Sequence, residues 1–293
     1  MSDSMSMVDK SVNVLAYGGQ LSVDHPGFTD AAYRARRQAL GEVAAEYRRG
    51  GAVPDAPYAD EEHALWRTCS AELARRHERY ACDEYLAGVD TLRLADDHVP
   101  QLTEVSQLLA PLSGFRYEPV PGLVSPWNFY GALADGWFMS TQYIRHHSVP
   151  YYTPEPDVIH EVVGHANQLA SPRFAEIYRK VGEAVKRVRS DQAVQFLSRV
   201  FWFTVEFGVV YEGGDLKAYG AGILSSFGEL DAFRGADVRP FDLAAMGGQP
   251  YDITKYQPVL FAADSVDALV GELTEFLDHY DEDAFSRYSR KVA

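Results

Sequence analysis

Apolar positions recur at helical spacing along most of this chain. Tyr33, Leu40, Val43, Ala44 and Tyr47 predict a helix capped at Thr29 and running to about Arg49, where Gly50-Gly51 stops it. Glu61, Glu62, Leu65, Trp66, Cys69, Leu73 and Ala74 fit a half-buried helix that starts near Asp60 with an acidic first turn. The same periodicity predicts helices over Cys82–Leu94, Leu102–Leu112, Asp157–Asn167, Phe174–Val188, Asp191–Tyr211 and Ser265–His279. Short extended pieces are expected at Phe115–Val120 and Trp137–Tyr143, and a small strand or turn region after the Gly-rich run Tyr219-Gly220-Ala221-Gly222. The picture is mainly α with minor β. Residues 1–10 read as a solvated tail and 11–293 as a single domain, because no repeat, low-complexity block or linker divides the chain.

Composition narrows the function classes. Hydrophobic residues at 46% and charged residues at 24% describe a globular protein with a substantial core. A formal net charge of -15 argues against nucleic acid or an anionic membrane as partner, since both need a basic surface. Cys69 and Cys82 are too few for a disulfide framework and are expected to be free thiols. The polar N-terminus shows no signal-peptide core, and no apolar run reaches membrane-spanning length. A cytoplasmic enzyme acting on a small molecule fits these limits.

The chemistry is concentrated in Thr153-Pro154-Glu155-Pro156-Asp157-Val158-Ile159-His160-Glu161-Val162-Val163-Gly164-His165, together with Glu206 in Phe201-Trp202-Phe203-Thr204-Val205-Glu206-Phe207-Gly208. Two histidines and one carboxylate can fill one face of a ferrous ion and leave positions open for oxygen chemistry. His160 and His165 do not have the H-E-x-x-H spacing of zinc proteases. Residues i and i+5 diverge on a regular helix, so both imidazoles can meet only at a helix end or a local distortion. Gly164 is expected to relax the backbone there. Glu206 lies in a very apolar segment, where a lone carboxylate is costly; a metal would solve that, and so would an arginine. For each histidine alone the plainer alternative is a half-buried polar side chain.

Longer motifs carry a resemblance. Thr141-Gln142-Tyr143-Ile144-Arg145 through His165, then Trp202 to Gly208, Lys217 to Gly222 and Ser225-Ser226-Phe227-Gly228-Glu229-Leu230, resemble the pterin-dependent aromatic amino acid hydroxylases, phenylalanine hydroxylase most of all. The likeness extends upstream to Asp24-His25-Pro26-Gly27-Phe28 and downstream to Tyr251-Asp252-Ile253-Thr254 and Gln257-Pro258, covering roughly Val12 to Tyr288. It implies the family's catalytic-domain fold, without regulatory or tetramerisation segments, and a monomer is expected. It also implies Fe(II) held by His160, His165 and Glu206, a tetrahydrobiopterin or related reduced pterin, and O2 as co-substrate.

By the same resemblance, Arg145 is a candidate for the substrate carboxylate, helped by Thr153 and Ser225; a structural ion pair with Asp157 or Glu155 is the alternative. Tyr152, Pro154, Pro156, Trp202, Phe207 and Ile253 would wall the aromatic pocket, although Trp202 and Phe207 would otherwise read as core. Gly122, Leu123, Val124, Ser125, Phe129 and Glu161 would meet the pterin, and Tyr17 would sit on a lid. Met139, Phe201, Pro126-Trp127 and Ala166-Asn167 depart from the family pattern around the pterin and the second histidine. The implied activity is hydroxylation of L-phenylalanine to L-tyrosine. Meta-hydroxylation of phenylalanine and 5-hydroxylation of tryptophan are variants of the same chemistry. A zinc hydrolase built on His160, Glu161 and His165 and a non-catalytic binding protein are the competing classes.

Overall fold

The computed structural model describes residues 25–292 apart from 152, 154 and 254. The expected tail, Tyr17, Tyr152 and Pro154 therefore lie outside the described residues.

Helices dominate, and two small sheets fill the gaps between them. β1 (Arg116–Pro119) and β2 (Trp137–Ser140) pair in parallel. β3 (Val209–Glu212), β4 (Asp215–Ala218), β5 (Asp237–Pro240) and β6 (Val259–Ala263) form the second sheet in the order β4-β3-β6-β5. Only the β3–β4 hairpin in it is antiparallel. Its turn uses Gly213 and Gly214 at φ 60° and 88°, a left-handed pair that side chains resist. One continuous apolar core, from Trp66 to Ala284, joins helices and both sheets. This is the mainly α architecture with minor β that the sequence predicts. Cys69 and Cys82 are buried free thiols, as expected.

Most predicted helices occur, and their ends obey local chemistry. The Asp60–Tyr80 helix starts where its acidic turn says, with Glu62 reaching back to the Ala59 N–H at 2.8 Å. Leu102–Ser113 stops at Gly114, whose φ is 76°. The first predicted helix divides: Pro26–Thr29 is a separate turn, and Asp30, not Thr29, caps Ala31–Ala45 by accepting from the Tyr33 N–H at 2.9 Å. The segment expected to be helical over Asp191–Tyr211 leaves the helix after Glu206. Gly208 admits no side chain there, since a Cβ would lie 2.0 Å from the Tyr219 ring, and Val209-Val210 continue as a strand.

A further helix, Pro126–Leu133, has no counterpart in the sequence reading. Its signal was the dipeptide Ser125-Pro126: Ser125 Oγ accepts from the Asn128 N–H, and proline occupies the first turn.

Candidate metal centre and its cavity

The spacing problem of the two histidines is resolved by a change of helix type. His160–Ala166 is a π-helix, entered from Val158 and Ile159 and followed by the α-turn Asn167–Leu169. Its i→i+5 bonds bring residues five apart to the same face, so the His160 and His165 rings meet edge to face at 4.7 Å. Gly164 does not act by relaxing the backbone, because it is not among the glycines at positive φ. It acts by being small: a Cβ there would lie 2.8 Å from the Ala221 carbonyl and 3.0 Å from the Ala221 methyl. The π-turn thus packs directly on the Ala221–Leu224 helix. Glu206 ends a second π-helical turn, Trp202–Glu206, closed by the Phe207 N–H donating to the Trp202 carbonyl at 2.8 Å.

The three side chains converge. His160 Nε2 and His165 Nε2 are 3.0 Å apart, and Glu206 lies 3.5 Å and 3.3 Å from them. One ligand atom from each falls within 4.8 Å of the others, and no further such cluster exists among the described residues. Two bonds of about 2.1 Å, the length of a metal–imidazole bond, meeting at a right angle would span the observed Nε2–Nε2 edge. Both Nδ1 atoms are engaged away from the centre, His160 with Ser225 Oγ at 2.9 Å and His165 with Tyr178 Oη at 2.6 Å.

Protonation suits a cation too. Burial lowers His160 to about 4 despite the pull of Glu206, so its imidazole is neutral at pH 7. Burial pushes the Glu206 carboxyl up, but His165 and His160 outweigh it and hold the group below its ordinary value. Two imidazoles and a carboxylate on one face, with the other side open to a cavity, are the donor set of a non-haem ferrous centre. The residues fit the ion.

That cavity holds about 260 Å³ and is lined by every described member of the anticipated substrate and pterin sets except Ser125, which caps the Pro126–Leu133 helix instead. Trp202 and Phe207 are wall as well as core: their rings pack at 4.5 Å, and Tyr251 stacks on the outer face of Trp202 at 4.1 Å. Ile253 lies at the exposed rim. Phe129 contributes from a nest of edge-to-face rings with Tyr130, Phe138 and Phe201. Thr141, Tyr130 and Val120 also line the cavity, and the sequence reading did not select them. Nothing in the local pattern at these positions separates lining from core.

Arg145 is fully buried at one side. Nε and Nη2 hold Asp157 Oδ2 and Oδ1 at 2.9 Å and 2.7 Å, and Nη1 reaches the Ser225 and Pro150 carbonyls at 3.0 Å and 3.2 Å. The Asp157 ion pair and the cavity position therefore coexist. Glu155, the other suggested partner, pairs with Arg37 instead. Thr153 Oγ1 donates to the Glu155 carbonyl at 2.8 Å and also faces the cavity. Glu161 points away from the histidines toward Thr141, whose N–H stands 3.4 Å from its carboxyl. Burial, with the Glu206 and Asp157 carboxylates nearby, raises this carboxyl well above its ordinary value, against the Thr141 hydrogen bonds that lower it.

Comparison with known proteins settles the family. Residues 3–291 match the family model of biopterin-dependent aromatic amino acid hydroxylases. The chain belongs to that family. It is 46% identical to the phenylalanine 3-hydroxylase of Streptomyces coeruleorubidus over 89% of this chain and 94% of that one. It is 42% identical to the phenylalanine-4-hydroxylase of Bos taurus over 86% of this chain but 57% of the relative. The Chromobacterium violaceum phenylalanine hydroxylase carrying iron(III) and 7,8-dihydrobiopterin superposes with a TM-score of 0.72 at 30% identity, covering 80% of this chain and 83% of that one. This hydroxylase uses iron and a biopterin, and its fold is the catalytic domain of the family. A zinc hydrolase no longer fits: the family match and the π-helical geometry leave Glu161 no role as a hydrolytic base. Among the described residues no helix is long and apolar enough to cross a membrane.

Proposed function

We propose that this hydroxylase acts on the ring of L-phenylalanine with O2 and forms L-tyrosine. The observation that carries the reading is the cavity itself, which has a buried guanidinium at one side, an aromatic wall and the His160–His165–Glu206 cluster.

Arg145 binds the substrate carboxylate. Asp157 takes two of its donors and fixes the plane of the fork, and Ser225 and Pro150 hold Nη1, so the guanidinium meets its ligand already ordered. Thr153 and Ser225 flank it. Trp202, Phe207 and Pro156 enclose the ring. The apolar faces of these residues suit a phenyl ring better than a phenol, which favours phenylalanine over tyrosine. Gly122 to Val124 and Phe129 receive the pterin, whose flat ring system suits the Phe129 face. Glu161, which lines the same cavity, meets the pterin by a hydrogen bond. Iron and the reduced pterin, when bound, supply O2 activation and two electrons, so that one oxygen atom enters the ring and the other leaves on the pterin. The surrounding apolar walls keep bulk water from the reacting ring.

One observation favours a second outcome on the same chemistry. The relative at 46% identity over nearly its whole length is a phenylalanine 3-hydroxylase, so meta-hydroxylation is the runner-up. Incubation of the purified protein with Fe(II), a reduced tetrahydropterin, O2 and L-phenylalanine, followed by chromatography, tests both. Tyrosine is expected. Meta-tyrosine alone would overturn the ring position, and pterin-independent or absent turnover of every aromatic amino acid would overturn the reaction.

A further inference from the structure

We propose that Gln168 and Tyr178 form a one-way hydrogen-bond relay that fixes which nitrogen of His165 carries the proton and so reserves Nε2 for iron. The inference rests on His165 being an iron ligand.

The relay begins at two backbone carbonyls. Gln168 is buried just beyond the π-helix, and its Nε2 donates to the Val205 carbonyl at 3.1 Å and to the Tyr219 carbonyl. Carbonyls only accept, so this end of the amide must be the NH2 group; the flipped rotamer would set three oxygens against one another. The amide oxygen is thereby turned to the Tyr178 hydroxyl, which donates to it. A phenol has one proton to give. With that proton committed to Gln168, the hydroxyl offers His165 only a lone pair. His165 Nδ1 stands 2.6 Å away and must therefore bear the hydrogen. An imidazole that takes a metal must be neutral and carries one N–H, so with Nδ1 bearing it the lone pair falls on Nε2. That is the nitrogen 3.3 Å from Glu206 and 3.0 Å from His160 Nε2.

Every polar atom of the Gln168 side chain is used, so the pair sits in the core at little cost in unmet hydrogen bonds. The starting carbonyl also belongs to the residue before Glu206. Gln168 thus ties the segment bearing the carboxylate ligand to the tautomer of the second histidine. It and Tyr178 touch neither cavity nor ion, and act as positioning residues.

Gln168→Met and Tyr178→Phe separate the relay from simple packing. In Gln168→Met the phenol loses its acceptor and its proton can turn toward Nδ1, which drives His165 to the Nε2–H form. Cobalt(II), used as the probe ion in chelator competition, should then bind about 10- to 100-fold more weakly. Tyr178→Phe removes the bias without reversing it, and the loss should be smaller. Nitrogen-15 NMR of the metal-free protein should show His165 protonated at Nδ1 in the wild type and shifted toward Nε2 in Gln168→Met. An Nε2–H tautomer in the metal-free wild type overturns the relay without any variant having to fold. So do unchanged cobalt constants in both variants. A wild type that binds neither cobalt(II) nor iron(II) would instead defeat the metal assignment on which the relay stands.

Discussion

The Trp202 indole N–H donates to the Gln257 side-chain oxygen at 3.1 Å, so the main aromatic wall of the cavity hangs from a loop on its far side. The same glutamine donates from Nε2 to the Asp252 and Lys255 carbonyls at 3.0 Å and 2.9 Å, folding the loop that carries Ile253. Gln257→Leu is expected to release both wall and loop. Losing these hydrogen bonds should cost about 0.5–1.5 kcal/mol of stability each. With phenylalanine as the proposed substrate, KM should rise more than kcat falls, and the proposed preference over tryptophan should narrow. Steady-state kinetics on both substrates, beside a urea melt, checks this; unchanged selectivity in a destabilised variant would reduce Gln257 to a structural role.

Glu229 holds the backbone of that glutamine, accepting from the Gln257 N–H at 2.8 Å. Burial raises its carboxyl to about 7, opposed only by that one hydrogen bond. A folded-state value above the unfolded one means that folding favours the protonated form. The favourable contribution is complete below about pH 4.5 and is lost as pH rises to about 7, a swing of about 3 kcal/mol at most. Glu229→Gln should flatten this dependence. Calorimetric melts between pH 5 and 8 should show the wild type weakening across that window and the variant much less; parallel profiles would count against the assignment.

Gly164→Ala tests the packing that seats the π-helix. The added methyl would stand 2.8 Å from the Ala221 carbonyl, inside contact distance, so one of the two elements must move. A loss of about 1–3 kcal/mol is expected, with weaker iron binding because His165 is the next residue. Iron titration and a thermal melt read the two effects separately. A variant with wild-type affinity and stability would show that the contact yields easily.

Much of this was legible in the sequence because it is written in local chemistry. Capping residues and helical periodicity located most helices, and the order of long motifs located His160, His165 and Glu206. What escaped was of two kinds. The π-helix cannot be read from the 3.6-residue pattern, since the i, i+5 spacing that reveals it looks like a defect until the Ala221 contact is known. Gln168, Tyr178 and Gln257 escaped because their roles depend on partners distant in sequence, such as the Val205 and Tyr219 carbonyls and the Trp202 indole. Arg145 was read as either a carboxylate binder or the partner of Asp157. The structure has it in the Asp157 pair while it faces the cavity, a combination that spacing alone cannot express.

The account stands on two imidazoles and one carboxylate acting together on a single ion. Iron content after anaerobic loading and desalting, compared between the wild type and Glu206→Ala, is the most direct measurement. One iron per chain in the wild type and almost none in a variant that keeps its helical circular dichroism is the predicted result. Equal iron in the two proteins would contradict it.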